Sequence, residues 1–398
     1  VQLQPFVGAS IKVLTPHQIS NIIFGTMGFE SMLLDLNGCD IILDEIHTYQ
    51  AATQAMVLEL VKVLIQNNCH VHIGTATMPS ALYADLLKIL GGEENVYQVK
   101  LNEKELQTYD RHIIFKNGNL DDLYEIIGQA FEEQEKLLIV CNIVADAQET
   151  YRILKKMFPE VPSMLIHSRF RRKDRRDREQ QLQDKFDNED GPCFVVSTQV
   201  VEVSLDISFD RLITQAAPID ALIQRFGRVN RRRLPPKEMT LKPVHILAPL
   251  DKTLPYTKEN VEQSYAILPD GEKLGTTKTQ QLIDQVYPEI NVQEISGYVK
   301  WNGNKLQMEK LKHISEPVLM KYLEIDSENC ILEEDLEAYE KASWEQRQWL
   351  EIPINRRSLY PYADQLSRAN GGSEPYVMPE QTEYDSLGLI LKEPSNFL

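Results

Sequence analysis

The chain alternates short apolar runs with longer amphipathic segments, and this alternation restricts its fold more than any other feature. Asp40–Leu43 and Val71–Gly74 have the length and apolar content of buried strands, whereas Ala51–Gln66 and Ser80–Leu90 show helical spacing. Continuous apolar strands are typical of parallel sheets that helices cover on both faces, so we predict an α/β fold. The other predicted strands are Ser10–Leu14, His112–Phe115, Leu137–Cys141, Ser163–His167, Cys193–Ser197, Leu212–Thr214 and Val244–Leu247.

The pattern divides the chain into three regions. Residues 1–105 have the pattern of part of one α/β domain, and residues 109–250 contain a second, complete set of strands and helices. Residues 99–111 are polar and lack periodicity, which is typical of a linker. Residues 251–398 are predicted to form a mostly helical C-terminal region. Its expected helices are Asn260–Leu268, Thr279–Tyr287, Ile331–Ala342 and Trp344–Leu350.

Charge is distributed unevenly along the 398 residues. The formal net charge of −17 argues against a general nucleic-acid binder, which is usually basic. However, residues 251–398 hold 15 basic and 26 acidic side chains, whereas residues 169–178 hold seven basic and two acidic ones. Such a basic segment suits contact with phosphates. The alternative is a solvated helix with internal ion pairs.

Cysteine usage and hydropathy indicate the cellular compartment. Five scattered cysteines are typical of reduced thiols in a cytoplasmic protein. The sequence contains no run of about 18 apolar residues, so it predicts no membrane-spanning helix. The sequence starts at Val1 without a signal-like segment, so we expect it to be a piece of a longer protein.

Two carboxylates follow the apolar run that ends at Leu43. In parallel α/β sheets ligands bind at the carboxyl ends of the strands, which predicts that Asp44 and Glu45 lie in a binding crevice. A carboxylate there suits Mg²⁺, and a neighbouring Glu can position a water molecule that attacks a phosphate. The alternative is that the two acidic residues only start a helix, where its dipole favours them.

Three further strings carry polar or charged groups, and two of them lie at the ends of predicted strands. Gly74–Pro79 places Thr75 and Thr77 at a strand end, and Val195–Asp206 does the same for Thr198 and Gln199. The alternative for both strings is an ordinary turn. In Gln224–Arg231, the arginines at 225, 228 and 231 are three residues apart, so a helix would place them on one face. Clustered guanidinium groups suit a transferring phosphoryl group, although a solvated basic face is the alternative.

In chain order, these strings resemble the motifs of superfamily 2 helicases. They are D-E-I-H (44–47), T-A-T (75–77), S-T-Q-V-V-E-V-S-L-D (197–206) and Q-R-F-G-R-V-N-R (224–231). The segments L-I-H-S-R-F (165–170) and A-A-P-I-D (216–220) are similar to the CRISPR-associated helicase-nuclease of type I systems. The resemblance covers roughly residues 7–250.

The resemblance implies tandem RecA-like domains, the first one incomplete, with ATP in the cleft between them. Asp44 and Glu45 would bind Mg²⁺ and position the attacking water, and His47 would link the ATP site to movement. Thr75 and Thr77 would couple hydrolysis to strand displacement. On the second domain, Arg228 and Arg231 would reach the γ-phosphate with support from Gln224 and Arg225, and Asp206 would contact the ribose or these arginines.

The resemblance also implies nucleic acid and protein partners. Family members translocate on single-stranded DNA after a surveillance complex with a guide RNA has opened the target. The residues expected to contact the DNA backbone are Thr15, Ser168, Arg169, Thr198 and Gln199, and the basic segment adds Arg171, Arg172 and Arg175.

Two departures from the family pattern are expected to limit the activity of this chain. No Gly-Lys dipeptide occurs among the 18 glycines, so the phosphate-binding loop is missing, and no His-Asp dipeptide marks a nuclease site. We therefore expect a C-terminal portion that needs an N-terminal part, in cis or as a separate chain, and that alone neither hydrolyses ATP nor cuts DNA. The alternatives are a superfamily 2 helicase outside CRISPR and a shortened paralogue that only docks.

Overall fold

The structure is a computed structural model of the chain, and it forms two compact units. Unit 1 contains residues 1–102 and 279–325, and unit 2 contains residues 103–278 and 326–398. The predicted three-part division stays a prediction. The structure describes residues 11–19, 21–24, 29–46, 51–75, 78–188, 190–202, 206–232, 240–289, 301–302, 305–306, 327–369 and 374–391.

The α-helices that the structure describes include several short ones. In chain order they are α1 (Pro16–Ile19), α2 (Asn21–Phe24), α3 (Phe29–Leu36), α4 (Ala51–Gln66), α5 (Ser80–Leu90), α6 (Glu103–Gln107), α7 (Tyr124–Glu132), α8 (Val144–Met157), α9 (Arg172–Gln181), α10 (Ile219–Phe226), α11 (Lys258–Ile267), α12 (Thr279–Val286), α13 (Leu336–Lys341) and α14 (Trp344–Leu350). Among them, α4, α5, α11 and α12 agree closely with predicted helices, whereas α6 lies in the predicted linker.

The strands include all those predicted between residues 40 and 250. In chain order they are β1 (Asp40–Asp44), β2 (His70–Gly74), β3 (His112–Asn117), β4 (Lys136–Val140), β5 (Ser163–Ile166), β6 (Cys193–Ser197), β7 (Arg211–Gln215), β8 (Lys242–Leu247), β9 (Glu272–Lys273), β10 (Trp301–Asn302), β11 (Lys305–Leu306), β12 (Ser327–Leu332), β13 (Ile352–Asn355), β14 (Ser367–Arg368), β15 (Tyr376–Met378), β16 (Tyr384–Asp385) and β17 (Gly388–Leu389).

Unit 1 is built on the parallel pair of strands β1 and β2. Their register runs from Asp40 opposite His70 to Asp44 opposite Gly74. Along both strands exposed and half-buried side chains alternate, because successive residues of a strand point to opposite faces. The half-buried face packs against helix α4, whose Met56 is fully buried in the core of this unit.

Helix α12 contacts the start of helix α5 within unit 1. The Asp284 carboxylate accepts hydrogen bonds from the backbone N–H of Ser80 (2.8 Å) and from its hydroxyl (2.8 Å). The Gln280 amide donates to the carbonyl of Met78 (2.9 Å). These bonds join the two stretches of sequence that make up this unit.

Unit 2 is built on a seven-stranded sheet with the order β5-β6-β4-β7-β8-β3-β9. Its neighbouring strands are parallel, except that β9 runs antiparallel to β3. Every residue of β6 is buried, as expected for a central strand with both faces covered. The predicted α/β class is confirmed.

The C-terminal part of unit 2 adds a sheet that the sequence pattern did not predict. Its strands have the order β13-β12-β15-β14, and helices α13 and α14 accompany them. The helix predicted over Ile331–Ala342 is wrong in its first residues, because Ile331 and Leu332 belong to β12. Cys330, Ile331 and Leu332 are all buried, and three consecutive buried side chains suit a strand covered on both faces better than an amphipathic helix.

The strand predicted at Ser10–Leu14 is also wrong in its described part. Residues 11–14 have no regular secondary structure, and Ile11 and Val13 are 87% and 92% exposed. A strand needs a neighbour for its backbone hydrogen bonds, and no described strand pairs with this segment.

Three histidines, two of them buried and His112 half-buried, predict that unit 2 loses stability in mild acid. Burial lowers the pKa of His112 to about 4, that of His167 to about 3 and that of His245 to about 4. Below pH ~6.5 the unfolded chain binds protons that the folded chain does not, so the free energy of unfolding falls as the pH drops from ~6.5 toward 4. Each histidine contributes up to about 1.4 kcal/mol per pH unit.

Urea unfolding at pH 7.5 and pH 5 measures this loss of stability. We expect His245→Gln to weaken the loss of stability between the two pH values, whatever it does to stability at pH 7.5. An unfolding midpoint that stays constant between the two pH values would contradict the prediction.

The described residues form no helix that is both long and apolar enough to cross a membrane. All five cysteines are free thiols; four are buried and Cys39 is half-buried.

Candidate functional site

The two predicted carboxylates lie at the carboxyl end of strand β1. Asp44 is the exposed last residue of the strand, and Glu45 follows it and donates its backbone N–H to the carbonyl of Gly74 (2.9 Å). Thr75 follows β2 at the same edge and is half-buried. Helix α4 spans Ala51–Gln66 among the described residues.

Glu45 adopts a left-handed backbone conformation with φ = 50°. For a residue other than glycine this conformation costs roughly 1–2 kcal/mol, and such strain concentrates at functional sites. The structure therefore holds the Glu45 side chain in an orientation that regular strand geometry would not give. The predicted site residues His47 and Thr77 lie outside the described residues.

The chemistry of Asp44 and Glu45 fits Mg²⁺ bound together with phosphates. Mg²⁺ sites in nucleotide enzymes use one or two carboxylates plus the phosphates of the substrate and several waters. Within the described residues no group of three or more His, Cys, Asp or Glu side chains is arranged to hold a metal.

Arg225 on helix α10 is fully buried, and all five of its N–H donors have partners in unit 2. Nε donates to Glu202 Oε1 (2.8 Å). One terminal nitrogen donates to the Thr214 hydroxyl (2.8 Å) and to the Gln215 carbonyl (3.2 Å). The other donates to Asn142 Oδ1 (3.1 Å) and to the Tyr256 hydroxyl (3.2 Å). Arg225 therefore holds strands and loops together and has no donor left for a phosphate.

The Glu202 carboxylate that binds Arg225 was not predicted from the sequence. Burial raises the pKa of Glu202, and the Arg225 guanidinium opposes this shift. The pair therefore depends on both members, since a buried carboxylate without its cation is costly. Glu202 lies in the string Val195–Asp206, but only its distance from Arg225 in space reveals its role.

The other two arginines of the string lie beyond helix α10, which ends at Phe226. The prediction that the three arginines share a helix face is therefore wrong. Arg228 is buried and donates to the carbonyl of Glu202. Arg231 is exposed, and its Nε donates to Asp206 Oδ1 (2.7 Å). The half-buried Gln224 lies in the last turns of the helix.

Four of the predicted nucleic-acid residues of unit 2 lie at the carboxyl ends of neighbouring strands of the seven-stranded sheet. Ser168 and Arg169 follow β5, whereas Thr198 and Gln199 follow the neighbouring parallel strand β6. Gln199 donates to the carbonyl of Asn142 (2.7 Å), which fixes its orientation.

Thr15 in unit 1 caps the short helix α1. Its hydroxyl accepts a hydrogen bond from the backbone N–H of Gln18 (3.3 Å), and its own N–H donates to the Gln18 side chain (2.8 Å). This reciprocal pair is a capping box and gives Thr15 a structural role whether or not it contacts DNA.

The basic segment around α9 binds carboxylates of the C-terminal part of unit 2. Arg171 pairs with Glu334 and with Asp335 (2.6 Å). Arg172 lies 3.5 Å from the Glu351 carboxylate. Arg175 pairs with Glu179 of its own helix (2.8 Å). Their predicted contact with DNA stays a prediction, and it would require these arginines to exchange or share their carboxylate partners.

Comparison with known proteins gives consistent matches. The family model for the C-terminal part of the CRISPR-associated nuclease/helicase Cas3 matches residues 133–234. The chain is 32% identical over 290 residues to a putative CRISPR-associated nuclease/helicase Cas3 of Methanocaldococcus jannaschii. This match covers 69% of the chain and 38% of that protein, so the matched part is well under half the length of this relative.

Solved structures share the fold. The crystal structure of T. fusca Cas3 has a TM-score of 0.73 at 18% identity, covering 95% of this chain and 56% of that one. A chain of a CRISPR RNA-guided surveillance complex in a pre-nicking state has a TM-score of 0.60 at 18% identity, covering 88% of this chain and 53% of that one. The likeness agrees with the tandem RecA-like fold implied by the motifs.

Proposed function

Because the chain belongs to the Cas3-type helicase family and corresponds to the C-terminal portion of its members, we propose that it is the motor portion of an ATP-dependent translocase on single-stranded DNA. In the complete protein it would unwind target DNA in type I CRISPR interference, in the cytoplasm. A surveillance complex with a guide RNA would recruit it, and an N-terminal part, in cis or as a separate chain, would supply the phosphate-binding loop.

The observation that carries the proposal is the strained Glu45 beside Asp44 at the end of β1. Asp44 would hold Mg²⁺ on the nucleotide phosphates, and Glu45 would accept a proton from the attacking water or orient it. When bound, Mg²⁺ would neutralise charge that develops on the phosphates. His47, Thr75 and Thr77 would transmit hydrolysis to the nucleic acid.

Unit 2 would contribute the positive charge that stabilises the transition state. Arg231 is 41% exposed, and its Asp206 partner is 86% exposed, so water screens this ion pair and exchange for a phosphate costs little. Arg228 would reach the same γ-phosphate, and Gln224 would support it. Arg225 would act indirectly, because its hydrogen bonds position the end of helix α10 from which Arg228 and Arg231 follow.

The DNA backbone would contact Ser168, Arg169, Thr198 and Gln199 at the β5–β6 edge, and Thr15 on unit 1. Hydroxyl, amide and guanidinium groups are the side chains that bind phosphates without reading sequence. The basic residues Arg171, Arg172 and Arg175 would add electrostatic attraction.

ATP hydrolysis by the complete protein tests the proposal. We expect Glu45→Gln to lower the DNA-stimulated kcat by roughly 10²- to 10⁴-fold, because the water loses its base while the side-chain volume is kept. Binding of single-stranded DNA should remain at the parent level. Glu30→Gln, an exposed residue of helix α3, is the matched control and should keep full activity. Parent-level hydrolysis by Glu45→Gln would refute the assignment of Glu45.

A further inference from the structure

The C-terminal segment Tyr384–Leu389 contacts the loop that follows strand β5, although more than 200 residues separate them in sequence. The Leu389 backbone N–H donates to the carbonyl of Arg169 (2.8 Å). The Tyr384 hydroxyl accepts from the backbone N–H of Arg171 (3.1 Å) and donates to Asp174 (2.5 Å). Both partners belong to unit 2.

His167 connects this segment to the loop from inside the protein. The ring is fully buried, and its Nδ1 accepts the backbone N–H of Arg169 (3.1 Å). Its Nε2 therefore carries the proton and donates to the carbonyl of Leu387 (2.9 Å). Since burial lowers the pKa of His167 to about 3, the ring keeps this neutral form near pH 7.

Side chains of two helices also donate hydrogen bonds to the segment. The Gln148 amide on α8 donates to the carbonyls of Leu387 (2.8 Å) and Leu389 (3.2 Å). Arg178 on α9 donates to the carbonyl of Ser386 (3.2 Å). The segment is thus fixed to the same sheet edge that carries the predicted nucleic-acid residues.

Gly388 allows the segment to approach the loop closely. Its φ is +78°, and a Cβ there would lie 2.7 Å from the carbonyl oxygen of Arg169 and 2.7 Å from the His167 ring. Real Cβ atoms do not come so near to backbone oxygen, so any other residue would displace the loop or the segment.

These contacts fix the backbone of Arg169 and do not involve its side chain. The guanidinium is half-buried and makes no hydrogen bond or ion pair to any residue that the structure describes, and burial lowers its pKa. A guanidinium of this kind, held on an ordered backbone, binds an anion strongly because it is partly desolvated and loses little conformational entropy.

We propose that the segment Tyr384–Leu389 is a positioning element that presents Arg169 to a backbone phosphate of single-stranded nucleic acid, with His167, Gln148 and Gly388 as its positioning residues. The inference rests on the proposed function, because it takes nucleic acid as the ligand of Arg169. It gives the C-terminal part of unit 2 a role in nucleic-acid binding.

Binding of single-stranded DNA to the complete protein, measured by fluorescence anisotropy over a range of salt concentrations, tests the proposal. Arg169→Ala should weaken binding about tenfold or more and reduce the slope of log Kd against log salt by about 0.7, the value for one phosphate contact. Gly388→Ala should weaken binding several-fold and reduce the slope in the same way. The double variant should bind no more weakly than Arg169→Ala alone, because both changes remove one contact.

Gly271→Ala is the matched control. Gly271 also lies in unit 2 with a positive φ of 68°, but an added Cβ there meets no atom within 4 Å. The Gly271→Ala variant should introduce backbone strain similar to that of Gly388→Ala and leave DNA affinity and salt slope unchanged. If Gly388→Ala gives too little folded protein, Gln148→Met makes the same test, since it removes two hydrogen bonds to the segment without adding an atom beside the loop.

The outcomes separate the positioning role from the proposed function. If Arg169→Ala weakens binding while Gly388→Ala and Gln148→Met bind as the parent does, the positioning role is overturned and DNA contact by Arg169 stands. An additive double variant also overturns it, because the segment would then act independently of Arg169. If Arg169→Ala itself has no effect, both the contact and its positioning are refuted.

Discussion

The purified 398-residue chain is expected to release no phosphate from ATP above background, with or without single-stranded DNA. Hydrolysis requires the β- and γ-phosphates to be held by backbone amides and a lysine of a phosphate-binding loop, and the sequence contains no Gly-Lys dipeptide. Without that loop, any nucleotide at the proposed site of Asp44 and Glu45 would be bound too weakly to react. Release of inorganic phosphate from ATP is the measurement.

Addition of a separately produced N-terminal polypeptide with a G-x-x-x-x-G-K-[ST] loop is the positive control for this experiment. It should restore DNA-dependent hydrolysis if the two parts associate. The chain alone should also leave DNA uncut in the presence of divalent metal ions, since no His-Asp dipeptide occurs among its eight histidines. DNA-dependent phosphate release by the chain alone would show that it binds ATP by other residues.

Arg225→Ala is expected to destabilise unit 2 by about 3–5 kcal/mol, because it leaves the Glu202 carboxylate buried without its cation. The side chains of Thr214, Asn142 and Tyr256 lose a hydrogen-bond donor at the same time. Urea unfolding followed by circular dichroism measures the loss. The stability of Arg225→Lys should lie between those of the parent and Arg225→Ala, since lysine keeps the charge but not the five directed donors.

Arg231→Ala is the control for the destabilisation expected of Arg225→Ala. The Arg231 pair with Asp206 is exposed, so its loss should cost no more than about 1 kcal/mol in stability. Equal destabilisation by both variants would contradict the structural role assigned to Arg225. We expect the opposite order in activity per folded molecule, because Arg231 is proposed to contact phosphate and Arg225 is not.

Sequence reasoning predicted elements well where local signals agreed. Helix α5 was predicted with its observed bounds because helical spacing stops at Gly91–Gly92, and Gly91 takes the left-handed conformation (φ = 83°) that ends the helix. Strand β6 was also predicted to the residue, since five apolar or small residues follow a Gly-Pro turn signal. The bounds of both elements therefore depend on residues close together in the sequence.

Interactions between distant residues could not be predicted in this way. The three-residue spacing of Arg225, Arg228 and Arg231 indicated a shared face, whereas the structure buries Arg225 against Glu202, 23 residues away. The basic segment indicated a surface for phosphates, but Arg171 pairs with Asp335, 164 residues away. The sequence shows which residues are charged but not which residues pair with them. A charged side chain that binds a ligand therefore cannot be distinguished from one that forms a structural ion pair until the fold is known.

The discontinuous composition of the units has a consequence for synthesis on the ribosome. Unit 1 cannot be complete when its first 102 residues emerge, because residues 279–325 also belong to it. Ser80, at the start of α5, binds Asp284, which is translated 204 residues later. The whole seven-stranded sheet of unit 2 is translated in that interval. The nascent first unit must therefore remain partly assembled during that interval, and its apolar surface is exposed to aggregation until residues 279–325 are made.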